Sequence, residues 1–557
     1  MFEGCTGLTG TIDLTQFTDI QGTGNNYGAF DYAFVGCTGI TKVDLSNLTM
    51  AHGIYHEFDG CTSLQELDLS NLETVRSDSQ FVFENMCNGC TSLTTVYLNK
   101  LASMGSYNTQ WHNTFKGCSS LENVFIDQTQ TIPYFYNNAT FYGANANYRI
   151  VVPDALYDQW IVTSGWSEQG VVEHIMGSTE AETLTFTAAQ AGSTVAMNAV
   201  GAAPSISLEY STDHGDTWND FTVGSTTITL DNVGDKVNIR AKTPNSVMAT
   251  GENVRNTFSI TGEVTASGNL AAILNKDVEQ GKLLDSTANQ HLRGLFRGCS
   301  NLVGSAKNLV IPFETLYNDS LDQTFRESGI AEAPELQFTT SGNASCFQTF
   351  YGCRSLVSPP STLRPEEIGL NTYRAMFQNC TSLTSSPVVN ATTSGQQSFM
   401  DMFNGCSSLE NAPDILVSTL IGREPARYMF QRSGIRKLVF PNLVQIGSGS
   451  SGYAYPLGQM CYNCPQLEEV YMPNLTTVSN NQTAYDMFNN CPSLKLVDWR
   501  NLSIVESNTN NLGACFYRTP SLQILDLHLS QGPFTLTTGT TTFRGTNPQV
   551  RILVPTG

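Results

Sequence analysis

Short runs of alternating apolar and polar residues recur along the chain, and each follows the same arrangement of a phenylalanine and a small residue. In residues 58–72 the phenylalanine is followed three positions later by a cysteine, then by a leucine, and then by the run Leu67-Asp68-Leu69. A run with a period of two predicts a half-buried strand. The same skeleton returns at Phe115 and at Phe488. The hydrophobic pattern therefore predicts a repeat protein built on this unit.

The small residue of each unit, named the anchor here, sets the period of the repeat. Most successive anchors are 24 to 32 residues apart, and the majority are 26 to 29 apart. Such a period is typical of a solenoid, in which each coil buries its apolar side only by stacking on its neighbours, and the length fits the leucine-rich-repeat class. The anchors are Cys5, Cys37, Cys61, Cys90, Cys118, Ala144, Cys299, Ser328, Cys353, Cys380, Cys406, Ser433, Cys464, Cys491, Thr519 and Thr546.

The repeats fall into two arrays, which are predicted at residues 1–152 and 291–557. After the first array, residues 153–181 carry the pattern of a short amphipathic helix, and we interpret them as an end-cap and linker. Residues 182–264 change to short alternating strands separated by turns, which predicts a small immunoglobulin-like β-sandwich. Residues 265–290 are interpreted as a helical cap and linker. The predicted fold class is mainly β, with two leucine-rich-repeat solenoids flanking the sandwich.

The early coils of the second array differ from the later ones because they carry proline where a strand should donate a hydrogen bond. Pro334, Pro387 and Pro413 follow this pattern. Proline cannot join a central ladder. We therefore expect a poorer sheet in these coils than in coils such as Val470-Tyr471-Met472, where the alternation returns.

Repeats of the form F-x-G-C-T-S-L-x-x-V-x-L resemble those of the BspA-like leucine-rich-repeat surface proteins. The resemblance covers both arrays, roughly three quarters of the chain, and extends to the short segment after Val151. It implies a secreted or surface-displayed protein that binds host matrix proteins or other cells. The family is also found in phage genomes, which keeps a phage origin open.

Composition and charge narrow the classes of partner. Only 14% of the residues are charged, the net charge is −21, and the 28 Lys and Arg residues form no basic run, which argues against nucleic acid. No stretch approaches the 18 apolar residues of a transmembrane helix. Met1 to Cys5 lie inside a repeat and show no signal peptide. We expect either a leader and first repeats outside this sequence or another route of export.

Fifteen cysteines invite three interpretations, namely disulfides, metal ligands or core residues. The pairs Cys87-x-x-Cys90 and Cys461-x-x-Cys464 look like zinc half-sites. Alignment to the repeat instead puts Cys87 and Cys461 at the phenylalanine position. Stacked strands about 4.7–4.9 Å apart place successive anchors poorly for disulfide bonds, whose Cβ atoms lie about 3.5–4.5 Å apart. We therefore favour a ladder of free buried thiols, with scattered disulfides and metal as the alternatives.

Two further motifs could carry chemistry. Residues 211–218 match the S-x-D-x-G-x-T-W Asp-box of sialidases, where the box braces a turn, and the single copy predicts a tight hairpin. His52 and His56 lie four residues apart, as metal ligands on a helix would, but Gly53 stands between them and no third ligand is evident. We interpret them as exposed loop histidines and expect no metal and no cofactor.

The strand face that points outward between the two apolar positions of each coil is the candidate binding surface. Aromatic side chains on an open sheet face indicate that something covers them, and stacked aspartates could attract a cation or a basic partner. The alternative is a solvated sheet with incidental aromatics. The predicted ligand-binding residues are Asp13, Asp44, Asp68, Tyr97, Phe125, Tyr471, Asp498 and Asp526.

Together these patterns predict a non-catalytic, extracellular or cell-surface protein for adhesion or ligand binding through the strand face and loops. A phage tail-fibre or receptor-binding structural protein is the alternative, and a glycan-directed hydrolase, supported only by the Asp-box, is a third hypothesis. The expected partners are a host or cell-surface protein or glycan. Residues 551–555 parallel residues 149–153 but precede no capping helix. Self-association through uncapped solenoid ends is therefore a further expectation.

Overall fold

A computed structural model gives the fold of the chain. It describes residues 2–20, 30–76, 82–104, 110–137, 139–146, 148–168, 170–277, 284–285, 291–413, 415–420, 422–447, 455–478, 483–502, 504–505, 512–528 and 541–554. The chain divides into two compact units, with Met1–Glu182 in unit 1 and Thr183–Val278 and Lys282–Gly557 in unit 2. Both units are built mainly from short strands.

Unit 1 is a stack of coils that each contribute short strands to parallel sheets. Its strands are β1 Thr9–Asp13, β2 Asp19–Ile20, β3 Gly39–Asp44, β4 Met50–Ala51, β5 Glu66–Asp68, β6 Thr74–Val75, β7 Thr95–Tyr97, β8 Asn123–Phe125, β9 Arg149–Val152 and β10 Ile175–Gly177. The front sheet of unit 1 has the order β1-β3-β5-β7-β8-β9-β10, and a second sheet has the order β2-β4-β6. The alternation in the sequence predicted the first kind of strand but not the second.

After Val152 the chain forms short helical turns and one further strand. A 3-10 turn at Asp154–Leu156 leads into helix α1, Tyr157–Trp160, whose Trp160 is fully buried. A second 3-10 turn at Val172–His174 precedes β10, which pairs in parallel with β9. Helix α2, Ser178–Glu182, follows. The sequence analysis ended the sheet at Val152 and missed this added strand.

Unit 2 begins with antiparallel strands. They are β11 Leu184–Ala188, β12 Ser193–Val200, β13 Leu208–Ser211, β14 Asn219–Phe221, β15 Thr227–Leu230, β16 Lys236–Ala241, β17 Ala249–Gly251, β18 Val254–Thr261 and β19 Val264–Asn269. One sheet contains β14-β13-β16-β11-β19 and the other has the order β15-β12-β18-β17. Phe186 and Phe258, one from each sheet, meet with ring centroids 4.9 Å apart. A 3-10 turn at Leu270–Ile273 follows, and residues 278–283 and 286–290 of the predicted linker lie outside the described residues.

Parallel coils return after this segment. Their strands are β20 Leu284–Asp285, β21 Val303–Ser305, β22 Leu309–Val310, β23 Phe313–Leu316, β24 Gly329–Glu332, β25 Thr340–Ser341, β26 Thr362–Leu363, β27 Val388–Val389, β28 Thr419–Leu420, β29 Lys437–Val439, β30 Gln445–Ile446, β31 Glu469–Tyr471, β32 Thr477–Val478, β33 Leu496–Asp498, β34 Ile504–Val505, β35 Ile524–Asp526 and β36 Arg551–Leu553. The parallel sheets have the orders β20-β23-β25, β21-β24, β26-β27, β28-β30-β32-β34 and β29-β31-β33-β35-β36, and β22 pairs with β19.

The front position of the second array is interrupted where the prolines stand. Between β24 and β29 only isolated bridges, such as Glu332 to Ser358 and Asn411 to Lys437, occur at this position among the described residues. Pro334, Pro387 and Pro413 lie within the interruption and outside every strand. The prediction of a poorer sheet in these coils is confirmed, because a chain that lacks amide donors cannot extend a ladder.

Before its anchor, each coil runs through consecutive turns, which together form a turn ridge along the stack. In this ridge the backbone of one coil bonds to the next, for example from Phe350 N to Met376 O at 2.9 Å and from Phe377 N to Met402 O at 2.9 Å. The residue before each anchor takes a left-handed conformation, with φ of 72° at Gly60. Glycine adopts this conformation without strain. This requirement explains the glycine in the F-x-G-C pattern.

The repeated phenylalanines form a ladder of stacked rings inside the turn ridge. In the second array the ring centroids of successive coils lie 5.2 to 5.6 Å apart without a break, through Phe296, Phe325, Phe350, Phe377, Phe403 and Phe430. In the first array the ladder is interrupted by Cys87, which stands between Phe58 and Phe115 in the chain. The alignment of Cys87 with the phenylalanine position is confirmed, since its carbonyl accepts from Cys118 Sγ at 3.0 Å, as a phenylalanine carbonyl does in other coils.

The anchors contribute hydrogen bonds as well as small size. Cys61 Sγ donates to Phe34 O at 3.1 Å, and Cys380 Sγ donates to Phe350 O at 3.0 Å, in each case to the preceding coil. Thr546 Oγ1 makes the equivalent bond to Phe516 O at 2.7 Å. All 15 cysteines are free thiols, and all except Cys5 are buried. Sequence reasoning found the size constraint and missed the donor.

Candidate functional site

The outward residues of the unit 1 front sheet form one column in parallel register. Asp13 pairs with Asp44, Asp44 with Asp68, and Asp68 with Tyr97. The column continues through Phe125 and Val151 to Met176. Parallel neighbours are separated by about 4.7–4.9 Å. Three carboxylates therefore lie at successive coils, with a tyrosine next in line.

The three aspartates also end their strands, because each closes a turn through its own backbone. Asp13 Oδ1 accepts from Thr15 N at 3.0 Å, Asp44 Oδ1 from Ser46 N at 3.0 Å, and Asp68 Oδ1 from Ser70 N at 2.9 Å. Each bond leaves the second oxygen, Oδ2, without a hydrogen-bond partner among the described residues. Such turns fix the carboxylate direction. In each of these aspartates, one carboxylate oxygen therefore stabilises a turn and the other oxygen is available to a ligand.

Hydrogen bonds keep the aspartate at the start of the column ionised. The pKa of Asp13 is lowered by the side-chain hydrogen bond from Thr15, with a smaller contribution from the backbone of the same residue. In the neighbouring column Lys42 Nζ lies 2.5 Å from Glu66 Oε1, and this hydrogen bond raises the pKa of Lys42. Lys42 thus faces three carboxylates, those of Asp44, Glu66 and Asp68, and this part of the sheet is acidic.

The aromatic part of the column is partly covered by the chain itself. Tyr97 and Phe125 stack with centroids 5.3 Å apart, and Phe125 is 2% exposed. Phe125 packs in a small cluster with Val151, Met176 and Ala181, which come from β9, β10 and α2. Phe125 is therefore not accessible to a ligand. Its ring is covered by residues of the chain itself, which include Met176 and Ala181. Tyr97 remains half-buried at the edge of this cluster.

The corresponding column in unit 2 is more fully paired. It runs Val439, Tyr471, Asp498, Asp526 and Leu553. Asp498 is buried and accepts two bonds from Arg500 Nε, at 2.9 and 3.0 Å. Asp526 Oδ1 accepts from His528 N at 3.0 Å and lies 2.5 Å from His528 Nδ1. Arg500 thus compensates the carboxylate of Asp498, and His528 binds that of Asp526 through its backbone amide and its ring.

Tyr471 is held by charged neighbours on its own sheet. Its hydroxyl donates to Glu469 Oε2 at 3.0 Å, and Lys437 Nζ lies 4.7 Å from its ring centroid. Burial, followed by the hydrogen bond to Glu469, raises the pKa of Tyr471. The predicted residues therefore form two separate columns, one in each array, and the aspartates of the column in unit 1 form no ion pair among the described residues.

The interpretation of His52 and His56 as exposed loop residues is wrong. His52 is buried at 5% exposure, and the His56 side chain is 21% exposed. His56 Nδ1 lies 2.7 Å from Asp59 Oδ2, and its Nε2 lies 3.1 Å from Asn85 Nδ2. The register of stacked coils, which brings Asn85 to His56, cannot be read from the local sequence. Across the described ranges, no group of three or more His, Cys, Asp or Glu side chains is placed to hold a metal ion.

The Asp-box is a turn brace between β13 and β14, as predicted. Asp213 Oδ1 accepts from Ser211 Oγ at 2.6 Å and from Thr217 N at 2.9 Å. These hydrogen bonds, led by the one from Ser211, lower the pKa of Asp213 to about 2. The guanidinium of Arg240 lies 3.6 Å from the centroid of the Trp218 ring. All of these contacts stabilise the hairpin.

Comparison with known proteins identifies the repeat. Residues 13–147 match six copies of the BspA type leucine rich repeat region. No curated protein matches the chain. In the part of the chain that the structure describes, no helix is long and apolar enough to cross a membrane.

Three solved structures resemble the chain at low sequence identity. A leucine-rich repeat protein from Bacteroides ovatus has 15% identity and a TM-score of 0.23, covering 53% of this chain and 86% of that one. A leucine rich cell surface protein from Faecalibacterium prausnitzii has 12% identity and a TM-score of 0.21, covering 88% and 87%. A chain of the TLR13-ssRNA13 complex has 12% identity and a TM-score of 0.22, covering 92% and 73%.

The repeat match and the stacked coils lead to one conclusion, and the three low TM-scores add nothing to it. The F-x-G-C pattern, the phenylalanine ladder and the anchor hydrogen bonds belong to one repeating coil. Residues 13–147 are therefore stacked coils that match the BspA type leucine rich repeat, and the coils of the second array are built on the same pattern.

Proposed function

We propose that this chain is a non-catalytic, surface-displayed binding protein whose first array binds a basic patch on a partner protein. The observation that carries the proposal is the column of Asp13, Asp44 and Asp68, which repeats a carboxylate at each coil beside Tyr97. Complementary charge guides association and selects partners. Tyrosine is among the residues enriched at protein interfaces. An extracellular or cell-surface location is part of the proposal, in keeping with the repeat family.

The proposed domain arrangement is the one predicted from the sequence, with solenoids at 1–152 and 291–557 on either side of an immunoglobulin-like sandwich at 182–264. The change from parallel to antiparallel pairing at β11, and back to parallel pairing at β22, supports it. Expression of residues 182–264 alone tests the proposal. Cooperative unfolding of that fragment is the expected result, and an unfolded fragment would contradict the proposal.

The binding proposal is tested with aspartate-to-asparagine variants. Asparagine can still accept the hydrogen bond that closes each turn, so the variants remove charge and keep the fold. The full chain is first screened on an array of matrix proteins and glycans. The double variant Asp44→Asn/Asp68→Asn is then compared with Asp158→Asn, an exposed aspartate on α1 and outside the sheet.

We expect the double variant to weaken binding to the captured protein about tenfold or more, because close charge pairs at interfaces couple by about 1.5 kcal/mol or more. The Asp158→Asn control should bind as the native chain does. Equal binding by the double variant, or an equal loss in the control, would contradict the proposal.

A further inference from the structure

One coil of the second array presents two aromatic side chains between two arginines. Phe347 and Tyr351 lie on the turn ridge of this coil and are half-buried. Arg326 comes from the preceding coil and Arg374 from the following one. The guanidinium of Arg326 lies 4.6 Å from the Tyr351 ring centroid, and that of Arg374 lies 5.7 Å from the Phe347 ring centroid. We name these four residues the arginine clamp.

Both arginines of the clamp are oriented by amide groups rather than by carboxylates. Arg326 Nη1 donates to Gln348 Oε1 at 2.7 Å. Arg374 Nη1 donates to Gln397 Oε1 at 3.1 Å and to Asn371 Oδ1 at 3.3 Å. A neutral acceptor fixes the direction of a guanidinium without cancelling its charge. The arrangement therefore holds two cations ready for an anion.

The acidic groups near the clamp compensate it only in part. Arg326 Nε lies 3.6 Å from Glu327 Oε1, whose side chain is 52% exposed. Asp322, in the coil of Arg326, is fully buried and lies 2.6 Å from Arg293. Burial raises the pKa of Asp322 to about 7, and burial also raises the pKa of Asp401 near Arg374. In a chain of net charge −21, neither Arg326 nor Arg374 donates a hydrogen bond to a carboxylate among the described residues.

Pairs of arginine and tyrosine recur further along the same ridge. Arg427 lies over Tyr428 at 4.5 Å and over Tyr455 at 4.6 Å, and Arg518 lies over Tyr517 at 5.0 Å. Cation–aromatic pairs thus recur in several coils of the ridge, and Arg427 is in addition paired with the carboxylate of Glu424. A linear polymer that repeats an anionic group can contact several of these pairs at once.

We propose that the arginine clamp binds a polysaccharide that carries carboxylate or sulfate groups. Arg326 and Arg374 would bind the anionic groups, since guanidinium matches the geometry of such oxyanions. Phe347 and Tyr351 would pack against the apolar faces of the sugar rings between them. This site is distinct from the acidic strand face and would serve a second class of partner.

The test measures binding of the full chain to four polymers: polygalacturonate, dextran sulfate, neutral dextran and poly-L-glutamate. The first two differ in the anionic group, the third lacks charge, and the fourth is an anionic peptide. The variant Arg326→Gln/Arg374→Gln removes both cations, and Phe347→Leu removes one ring but keeps the charge. The matched control is Arg240→Gln, which removes an arginine stacked on Trp218 outside the ridge.

We expect one or both acidic polysaccharides to bind, with affinity that falls as NaCl rises. The double arginine variant should lose at least tenfold in affinity, Phe347→Leu severalfold, and the control nothing. An unchanged melting temperature shows that each variant is folded. If the double arginine variant does not fold, the test rests on whether Phe347→Leu loses affinity for the acidic polysaccharide.

Four results would overturn the proposal. They are the failure of both acidic polysaccharides to bind, equal binding of neutral dextran, binding of poly-L-glutamate as tight as that of the polysaccharides, and an equal loss in the Arg240→Gln control.

Discussion

The coils of the two arrays are held together by different sets of contacts. In unit 1 the front sheet runs through seven strands without interruption, but the phenylalanine ladder is broken at Cys87. In the early coils of the second array the front sheet is interrupted between Glu332 and Lys437, while the rings from Phe296 to Phe430 stack without a break. The difference indicates that these coils stack without a continuous front sheet, through the ladder, the turn ridge and the short strands β23, β25, β26 and β27.

The inward-facing residues beside the phenylalanine ladder also differ between the two arrays. The residue before the ladder position is methionine in five successive coils of the second array, which are Met376, Met402, Met429, Met460 and Met487. In unit 1 the equivalent position holds Ala33, Glu57, Met86 and Thr114. Glu57 is 1% exposed. A uniform flexible apolar column runs through these five coils of the second array, whereas the first array accommodates a buried carboxyl group.

The largest expected effect comes from removing one rung of the unbroken ladder. Phe377→Ala should reduce the free energy of unfolding by about 3–5 kcal/mol, since it removes a buried ring and leaves a cavity. Phe115→Ala is the matched variant in unit 1, where front strands support the coil, and it should loosen its neighbours less. Denaturation combined with hydrogen exchange measures both. Equal loosening around the two sites would contradict the contrast between the arrays.

A pH-dependent effect is expected from the buried carboxyl of unit 1. Burial raises the pKa of Glu57 from 4.5 to about 9. The folded protein therefore binds this proton more tightly than the unfolded chain, and the free energy of unfolding falls as the pH rises from about 4.5 to about 9. The slope contributed by one group is at most about 1.4 kcal/mol per pH unit.

Glu57→Met gives this coil the residue of the second array and should remove that slope, so that the variant is more stable than the native chain at pH 8. Met86→Leu in the neighbouring coil is the control and should keep the slope. Urea denaturation between pH 5 and pH 9 measures it. An unchanged slope in Glu57→Met would mean that this carboxyl is ionised in the folded protein.

A smaller effect is expected at the anchors, where size and hydrogen bonding can be separated. Cys380→Ala removes the Sγ donor to Phe350 O and should cost about 1 kcal/mol. Cys380→Ser keeps a hydroxyl donor, as Thr546 does naturally at its own anchor, and should cost less. Chemical denaturation of the two variants measures the difference. If the alanine variant is as stable as the serine variant, the anchor position requires only a small residue and its hydrogen bond does not contribute to stability.

Much of this architecture could be predicted from the sequence because the same residue pattern recurs in each coil. The alternation of Leu67-Asp68-Leu69 predicted the front strand, and the spacing of Phe and Cys placed Cys87 in the ladder. The prolines predicted the interruption of the second front sheet. Each of these signals lies within one coil, and its repetition along the chain makes it recognisable in the sequence.

The parts that could not be predicted depend on what lies one coil away. The hydrogen bond from Cys61 to the preceding coil and the contact of His56 with Asn85 both require the stacking register. The cover over Phe125 comes from Met176, about fifty positions later in the chain. The arginine clamp joins three coils whose sequences share no motif at these positions.

The central claim is that the early coils of the second array are stacked by the ladder and turn ridge rather than by a front sheet. Hydrogen exchange read by mass spectrometry tests it within one molecule. Peptides over the ridge at 345–352 and 372–379 should be strongly protected, and front peptides at 356–360 and 383–387 should exchange much faster than the front strands β31 and β33. Equal protection of ridge and front in these coils would contradict the account.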